Sequence, residues 1–217
     1  MTGDASGARG DGRIANVAGA VLVGGASRRF GRDKARAEVG GIAMATRLAR
    51  LLDDLFEEVV LVGGDPPDDA PGRRVPDPEA PGDARSALRG IVGALEAARA
   101  ERVVVLATDL PRMRVELVLA LAAWPPCDAV VVRDALGRPE PLCGAWARDA
   151  VLPAARELLA RGEYRLTALL GAIDAHYLEG ADLAAVDPDG VALANVNTAG
   201  DLAALEARGV APRRSDG

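Results

Sequence analysis

Three apolar runs in the first half of the chain each halt at a glycine pair or an aspartate. "VAGAVLV" (17–23) stops at Gly24-Gly25, "EEVVLVGG" (57–64) ends on Gly63-Gly64, and "RVVVLATDLP" (102–111) runs into Thr108, Asp109 and a proline. Continuous apolar runs without polar alternation predict strands buried on both faces. Stretches of helical period separate them: "IAMATRLARLLDDL" (42–55), "ARSALRGIVGALEAARA" (84–100) and "RVELVLALAAW" (114–124). The pattern continues with strands at 128–134 and 141–147 and helices near 149–161 and 165–172. A last helix lies within 195–207, with Thr198 placed to cap it. Strands alternating with helices predict a doubly wound α/β domain, with a mostly parallel sheet and helices on both faces. Ligands of such sheets bind past the carboxyl ends of the strands, so Gly24-Gly25, Gly63-Gly64 and Asp109 should line one crevice.

Composition sets the limits of this domain. The chain has 217 residues, 49% of them hydrophobic but only 3% aromatic, so the core must be built from Ala, Val and Leu. Residues 1–15, rich in Gly, Asp and Arg, are expected to be a disordered tail. Residues 16–208 form a single domain, and 209–217 a flexible C-terminal tail. Residues 65–83 hold six prolines and are expected to form a long loop. A net charge of −6 argues against nucleic-acid binding, which needs a basic face. The N-terminus has no apolar signal core and no stretch is long enough to span a membrane, which points to a cytoplasmic protein. Cys127, Cys143 and His176 are too few for a standard zinc site and sit in no nucleophile motif. They read as two small core residues and an ordinary histidine.

The chemistry concentrates in "VLVGGASRRFGRDK" (21–34), where Arg28, Arg29, Arg32 and Lys34 follow the first strand. Lys34 is the chain's only lysine; the other 25 basic residues are arginines. Glycines after a first strand let backbone N–H groups approach a phosphate. The spacing matches neither the dinucleotide G-x-G-x-x-G fingerprint nor the P-loop. The charge density suits a polyanion such as a nucleoside triphosphate. Arginine grips phosphate with a planar fork, whereas lysine is a compact point charge that can follow a phosphoryl group as its geometry changes. A triphosphate brings Mg²⁺, which needs a carboxylate at the same crevice. Asp109 is placed for that role or for capping the helix at 114–124. Asp77, in "VPDPEAP", is a second candidate.

The loop, "TDLP" and "NVNT" together resemble the molybdenum cofactor guanylyltransferase family. Its signature reads roughly L-A-G-G-x-S-x-R-M-G-x-D-K and stands here as Leu22 through Lys34, departing at Val23 and Phe30. The family's metal aspartate matches Asp109, and the aspartate after its third short strand matches Asp77. "RGEYRL" (161–166) is similar to its Gly-Glu-x-Arg segment, and "NVNT" to its Asn-x-Asn-Thr. The likeness covers about residues 17–207. The family's Gly-Pro-Leu-x-Gly segment is reduced to Gly82 and Gly90. Val62-Gly63-Gly64 stands where a polar residue often meets the nucleoside, so base recognition would rest on backbone groups.

The resemblance implies a Rossmann-like nucleotidyltransferase fold and transfer of GMP from GTP to the terminal phosphate of molybdopterin cofactor, releasing pyrophosphate. Lys34, Arg28 and Asp109 would be catalytic, with Asp109 holding Mg²⁺. Leu22, Val23, Gly24, Gly25, Lys34, Asp77 and Asp109 would bind the nucleotide. Asn195 and Asn197 would meet the acceptor, or else form a capping turn. Proteins of the molybdenum cofactor pathway would be partners. The residues leave two other readings open. One is a related nucleotidyltransferase that uses CTP, or a sugar-phosphate or phospholactate acceptor. The other is a nucleotide-binding module without chemistry.

Overall fold

The computed structural model describes residues 12–23, 34–78, 86–196, 198, 200, 201, 203 and 204. In chain order these form β1 (Ile14–Leu22), a short 3-10 turn (Lys34–Arg36), β2 (Glu38–Val39), β3 (Ile42–Ala43), α1 (Met44–Leu55), β4 (Phe56–Val62) and β5 (Arg73–Val75). There follow α2 (Ala87–Ala97), β6 (Arg102–Ala107), α3 (Val115–Ala122), β7 (Ala129–Arg133), β8 (Pro139–Ala147), α4 (Arg148–Ala160), α5 (Leu166–Gly171), β9 (Ala175–Leu178) and α6 (Gly180–Val186).

Seven strands make one sheet in the order β5-β4-β1-β6-β8-β7-β9. β1 lies between β4 and β6 and runs parallel to both. β5 extends β4 in parallel and β9 extends β7 in parallel, whereas β8 is antiparallel to β6 and β7. Because β1 runs first to β4 on one side and the chain later returns to β6 on the other, the order reverses beside β1. Sheets of this kind bind ligands at the carboxyl edge beside such a reversal.

Alternation along each strand fills two cores. Val17, Val21, Leu61, Val104 and Leu106 point to one face, where Leu48 and Leu52 of α1 and Leu117 and Leu121 of α3 cover them. Ala18, Ala20, Leu22, Val60, Val62, Val103 and Val105 point to the other, under α2, α4 and α5. Both faces are therefore buried, which is why these strands carry apolar residues at consecutive positions. Gly19 lets α1 lie close on β1, since a Cβ there would stand 2.8 Å from the Leu52 Cβ.

The structure departs from the sequence reading at several points. β1 begins at Ile14, paired with Phe56, so Ile14 and Ala15 belong to the strand rather than to a tail. Residues 65–83 contain β5, whose "RRV" has no apolar run and forms through pairing with Val60–Val62. The β2–β3 hairpin, β9 and α6 are short and gave no periodic signal in the sequence. Most of the 1–15 tail and the whole 209–217 tail lie outside the described residues.

Candidate active site

The described part of the crevice is built from the ends of β1, β4, β5 and β6. Leu22 pairs with Val62 on one side and Ala107 on the other. The Val23 N–H then donates to the Val62 carbonyl at 2.9 Å. Both side chains are buried, Leu22 toward α2 and Val23 toward α1. Of the candidate nucleotide-binding residues, these two therefore offer backbone rather than side-chain groups. Gly90 of α2 permits this packing, since a Cβ there would meet the Leu22 Cδ1 at 2.9 Å.

Past β4 the backbone turns through Gly63 at φ 70° and Gly64 at φ 57°. Only glycine enters this left-handed region at no cost. The Gly63 N–H donates to the Val75 carbonyl at 2.9 Å, which ties the turn to the end of β5. Asp77, half-buried, lies directly over Gly63: a Cβ there would come within 2.5 Å of Asp77 Oδ1. Gly64 lies as close to β1, where a Cβ would be 2.9 Å from the Val23 carbonyl oxygen.

Asp109 is half-buried just beyond β6. It does not cap the following helix: α3 starts at Val115, its cap position is Arg114, and no side chain makes a cap hydrogen bond there. Because β8 is antiparallel, its first residues reach the same edge at which β6 ends. Leu106 pairs with Cys143, and the strand leading into Cys143 begins with Pro139 and Glu140. Glu140 feels the charge of Asp109. Burial pushes the Glu140 carboxyl above its ordinary range, and the negative charges of Asp134 and Asp109 raise it further. Glu140 was not among the residues singled out from the sequence. Its signal was faint, a lone acid in "RPEPLCG", and only the antiparallel register brings it to the site.

The segment before the last helical residues is tied to the same point. The Val196 N–H donates to the Asp109 carbonyl at 2.9 Å. Asn195 beside it is exposed. Capping falls to Thr198, whose Oγ1 accepts from the Asp201 N–H at 3.0 Å while its own N–H donates to Asp201 Oδ2 at 2.8 Å. This reciprocal pair is a capping box, so Asn195 is not needed for the turn. Gly24, Gly25, Arg28 and Asn197 lie outside the described residues. Lys34 opens the Lys34–Arg36 turn, but its side chain also lies outside them.

Two residue types drop out as catalysts. Cys143 is fully buried, and its thiol is pushed far up by burial, with Glu140 and Asp187 adding to the shift. Burial likewise raises Cys127. His176 is exposed beside Asp174 on the far edge strand β9. Glu163, from the Gly-Glu-x-Arg segment, is engaged by Arg165, whose side chain and backbone N–H hold its pKa near 2. Among the described residues no three potential ligands of His, Cys, Asp or Glu gather around one point. Mg²⁺ does not require that, because it keeps several waters and takes one or two carboxylates plus substrate phosphates. An oxygen-only pair such as Asp109 and Glu140 fits such an ion. No helix among the described residues is long and apolar enough to cross a membrane.

The fold is that of the α/β nucleotidyltransferases. It superposes on molybdopterin-guanine dinucleotide biosynthesis protein A of Archaeoglobus fulgidus with a TM-score of 0.72 at 23% identity, over 88% of this chain and 97% of that one. The chain belongs to the MobA-like NTP transferase domain family, which matches residues 19–177. It is 33% identical to a probable molybdenum cofactor guanylyltransferase of Chloroflexus aggregans, over 88% of this chain and 94% of that protein. Identity is also 33% to the molybdenum cofactor guanylyltransferase of Rhodobacter capsulatus, over 88% of this chain and 96% of that protein.

Proposed function

We propose that the chain transfers GMP from GTP to the terminal phosphate of molybdopterin cofactor. An acceptor phosphate oxygen attacks the α-phosphorus, the bond from that phosphorus to the oxygen bridging to the β-phosphorus breaks, and pyrophosphate leaves. The acceptor is already anionic at neutral pH, so no general base is required, in keeping with the one His/Asp pair described, His176 with Asp174, lying out on the edge strand β9. Catalysis then rests on alignment and charge neutralisation.

The observation that carries this reading is the junction at Asp109. Asp109 lies just past the carboxyl end of β6, where its carboxylate would face the phosphates, while its carbonyl holds the Asn195–Val196 segment. The phosphate side and the acceptor side therefore meet at one residue. Asp109, with Glu140 beside it, would hold Mg²⁺, which when bound neutralises phosphate charge. Gly24, Gly25 and the backbone of Leu22 and Val23 would cradle the triphosphate, and Asp77 would meet the nucleoside. Lys34 and Arg28 would offset charge on the α-phosphoryl group and the departing pyrophosphate. Asn195 and Asn197 would orient the acceptor. The same reading implies a cytoplasmic setting, with proteins of the molybdenum cofactor pathway as partners.

The test is pyrophosphate release with each of the four NTPs, Mg²⁺ and molybdopterin. GTP should exceed ATP by at least about tenfold, because a site that hydrogen-bonds one base leaves its groups unpaired with another. Equal use of all four would remove guanine from the reading, and preference for CTP would make the chain a cytidylyltransferase. Binding without pyrophosphate release would leave a nucleotide-binding module.

A further inference from the structure

Asn195 and Asn197 flank a residue with the opposite character. Val196 is 1% exposed and packs with Val39 and Met44, both 0% exposed, in a small cluster separate from the two main cores. Ala37 closes that cluster. Its parts come from elements remote in sequence: Ala37 follows the turn that Lys34 opens, Val39 ends β2, and Met44 starts α1. The Met44 N–H donates to the Ala37 carbonyl at 2.8 Å, so the hairpin between them is closed on itself. From the same residue, the Val196 N–H reaches the Asp109 carbonyl.

The chain is also fixed as it approaches this point. Asp187 is buried, and both its carboxylate oxygens accept from the Ala192 N–H at 3.1–3.2 Å. Arg114 at the start of α3 pairs with Asp187 at 3.0 Å. Residues 187–196 are thus held at both ends, and Val196 is where they join the crevice.

We propose that Val196 is a positioning residue: its side chain, seated on Val39 and Met44, and its N–H, bonded to Asp109, hold Asn195 in register with Asp109 and the Lys34–Arg36 turn. This rests on the reading of Asn195 and Asn197 as the acceptor side. The physical reason is reach. Lys34 and Asp109 belong to segments that β1 does not bring together by itself, and an alignment error of an ångström costs large factors in a transfer between two bound phosphates. A buried apolar wedge cannot rotate or slide as an exposed asparagine turn could.

Val196→Ala removes the wedge and keeps the N–H. Val151→Ala, a buried valine of α4 in the core on the other sheet face, is the control for lost packing alone. Val196→Ala should keep GTP affinity within about twofold, because it leaves the N–H bonded to the Asp109 carbonyl in place. Its kcat should fall about tenfold or more and its acceptor KM should rise, as expected for misplacement. Amide hydrogen exchange should quicken at residues 35–39 as well as at 191–196. Val151→Ala should lose melting temperature without either change. The proposal is overturned if Val196→Ala leaves 35–39 unchanged, or if Val151→Ala reproduces the kinetic and exchange pattern. If the wild type turns over no molybdopterin with any NTP, the functional reading fails, and the exchange measurement alone decides whether Val196 positions the Lys34 segment.

Discussion

The carboxylate of Asp77 occupies the space where a side chain on Gly63 would be: a Cβ there would lie 2.5 Å from Oδ1 and 2.8 Å from Oδ2. Gly63 therefore does two things at once. It turns the chain at φ 70°, and it lets the acid on the β5 side reach across the end of β4.

Gly63→Ala should consequently injure both stability and binding. The left-handed backbone alone costs an L-residue about 1–2 kcal/mol. The displaced Asp77 should weaken GTP binding about tenfold, the worth of one hydrogen bond to a charged group. Denaturant titration measures the first effect and calorimetry the second. Asp77→Ala should reproduce the affinity loss without the full stability loss. GTP affinity unchanged in both variants would take Asp77 out of the nucleoside site.

Asp109→Asn separates chemistry from folding. Asp109 caps no helix, so the fold should survive with an unchanged or slightly raised melting temperature, while Mg²⁺-dependent turnover disappears. The acid whose titration its charge raises is Glu140. The Asp77 carboxylate lies over Gly63 at the end of β4, with β1 between it and β6. The sign of the pH effect follows from Glu140. Its folded pKa is raised, so the folded chain holds a proton that the unfolded chain has released. Stability therefore falls as pH rises from the ordinary value of 4.5 through the raised one. Asp109→Asn should shrink that fall and bring the Glu140 titration down, which carboxyl NMR would follow.

Lys34→Arg keeps the charge and changes its shape. If lysine is retained as a point charge that follows the α-phosphoryl group, turnover should drop by more than about tenfold while GTP affinity changes little. Wild-type turnover in this variant would return Lys34 to an ordinary surface position. Steady-state kinetics beside a binding isotherm distinguishes the two outcomes.

Glu163 should titrate near pH 2 in the folded chain, because the side chain and backbone N–H of Arg165 stabilise its anion. A depressed pKa gives support that is present above the ordinary value of 4.5 and is lost as pH falls through the folded one. In Arg165→Ala the titration should move back toward that ordinary value. An unmoved titration would mean the turn backbone alone holds it down.

The sequence by itself determined the sheet and its chemical edge. Runs such as "VAGAVLV" and "RVVVLATDLP" can only be buried on both faces, and where they stop is a local property of glycine, aspartate and proline. Hence the strand ends at Val23, Gly63 and Asp109 were legible before any contact was known. Thr198 was legible as a cap for the same reason, since capping is decided within four residues. Pairing across the sheet was not legible. β5 and β9 are too short and polar to form without a neighbour, and nothing local in "RPEPLCG" says that β8 runs antiparallel. That direction is what puts Glu140 beside Asp109. Whether Asp109 caps α3 likewise depended on where that helix begins. Tertiary structure decided all of these, because strand register, and the meeting of Val196 with Val39, Met44 and Asp109, depend on contacts between residues far apart along the chain.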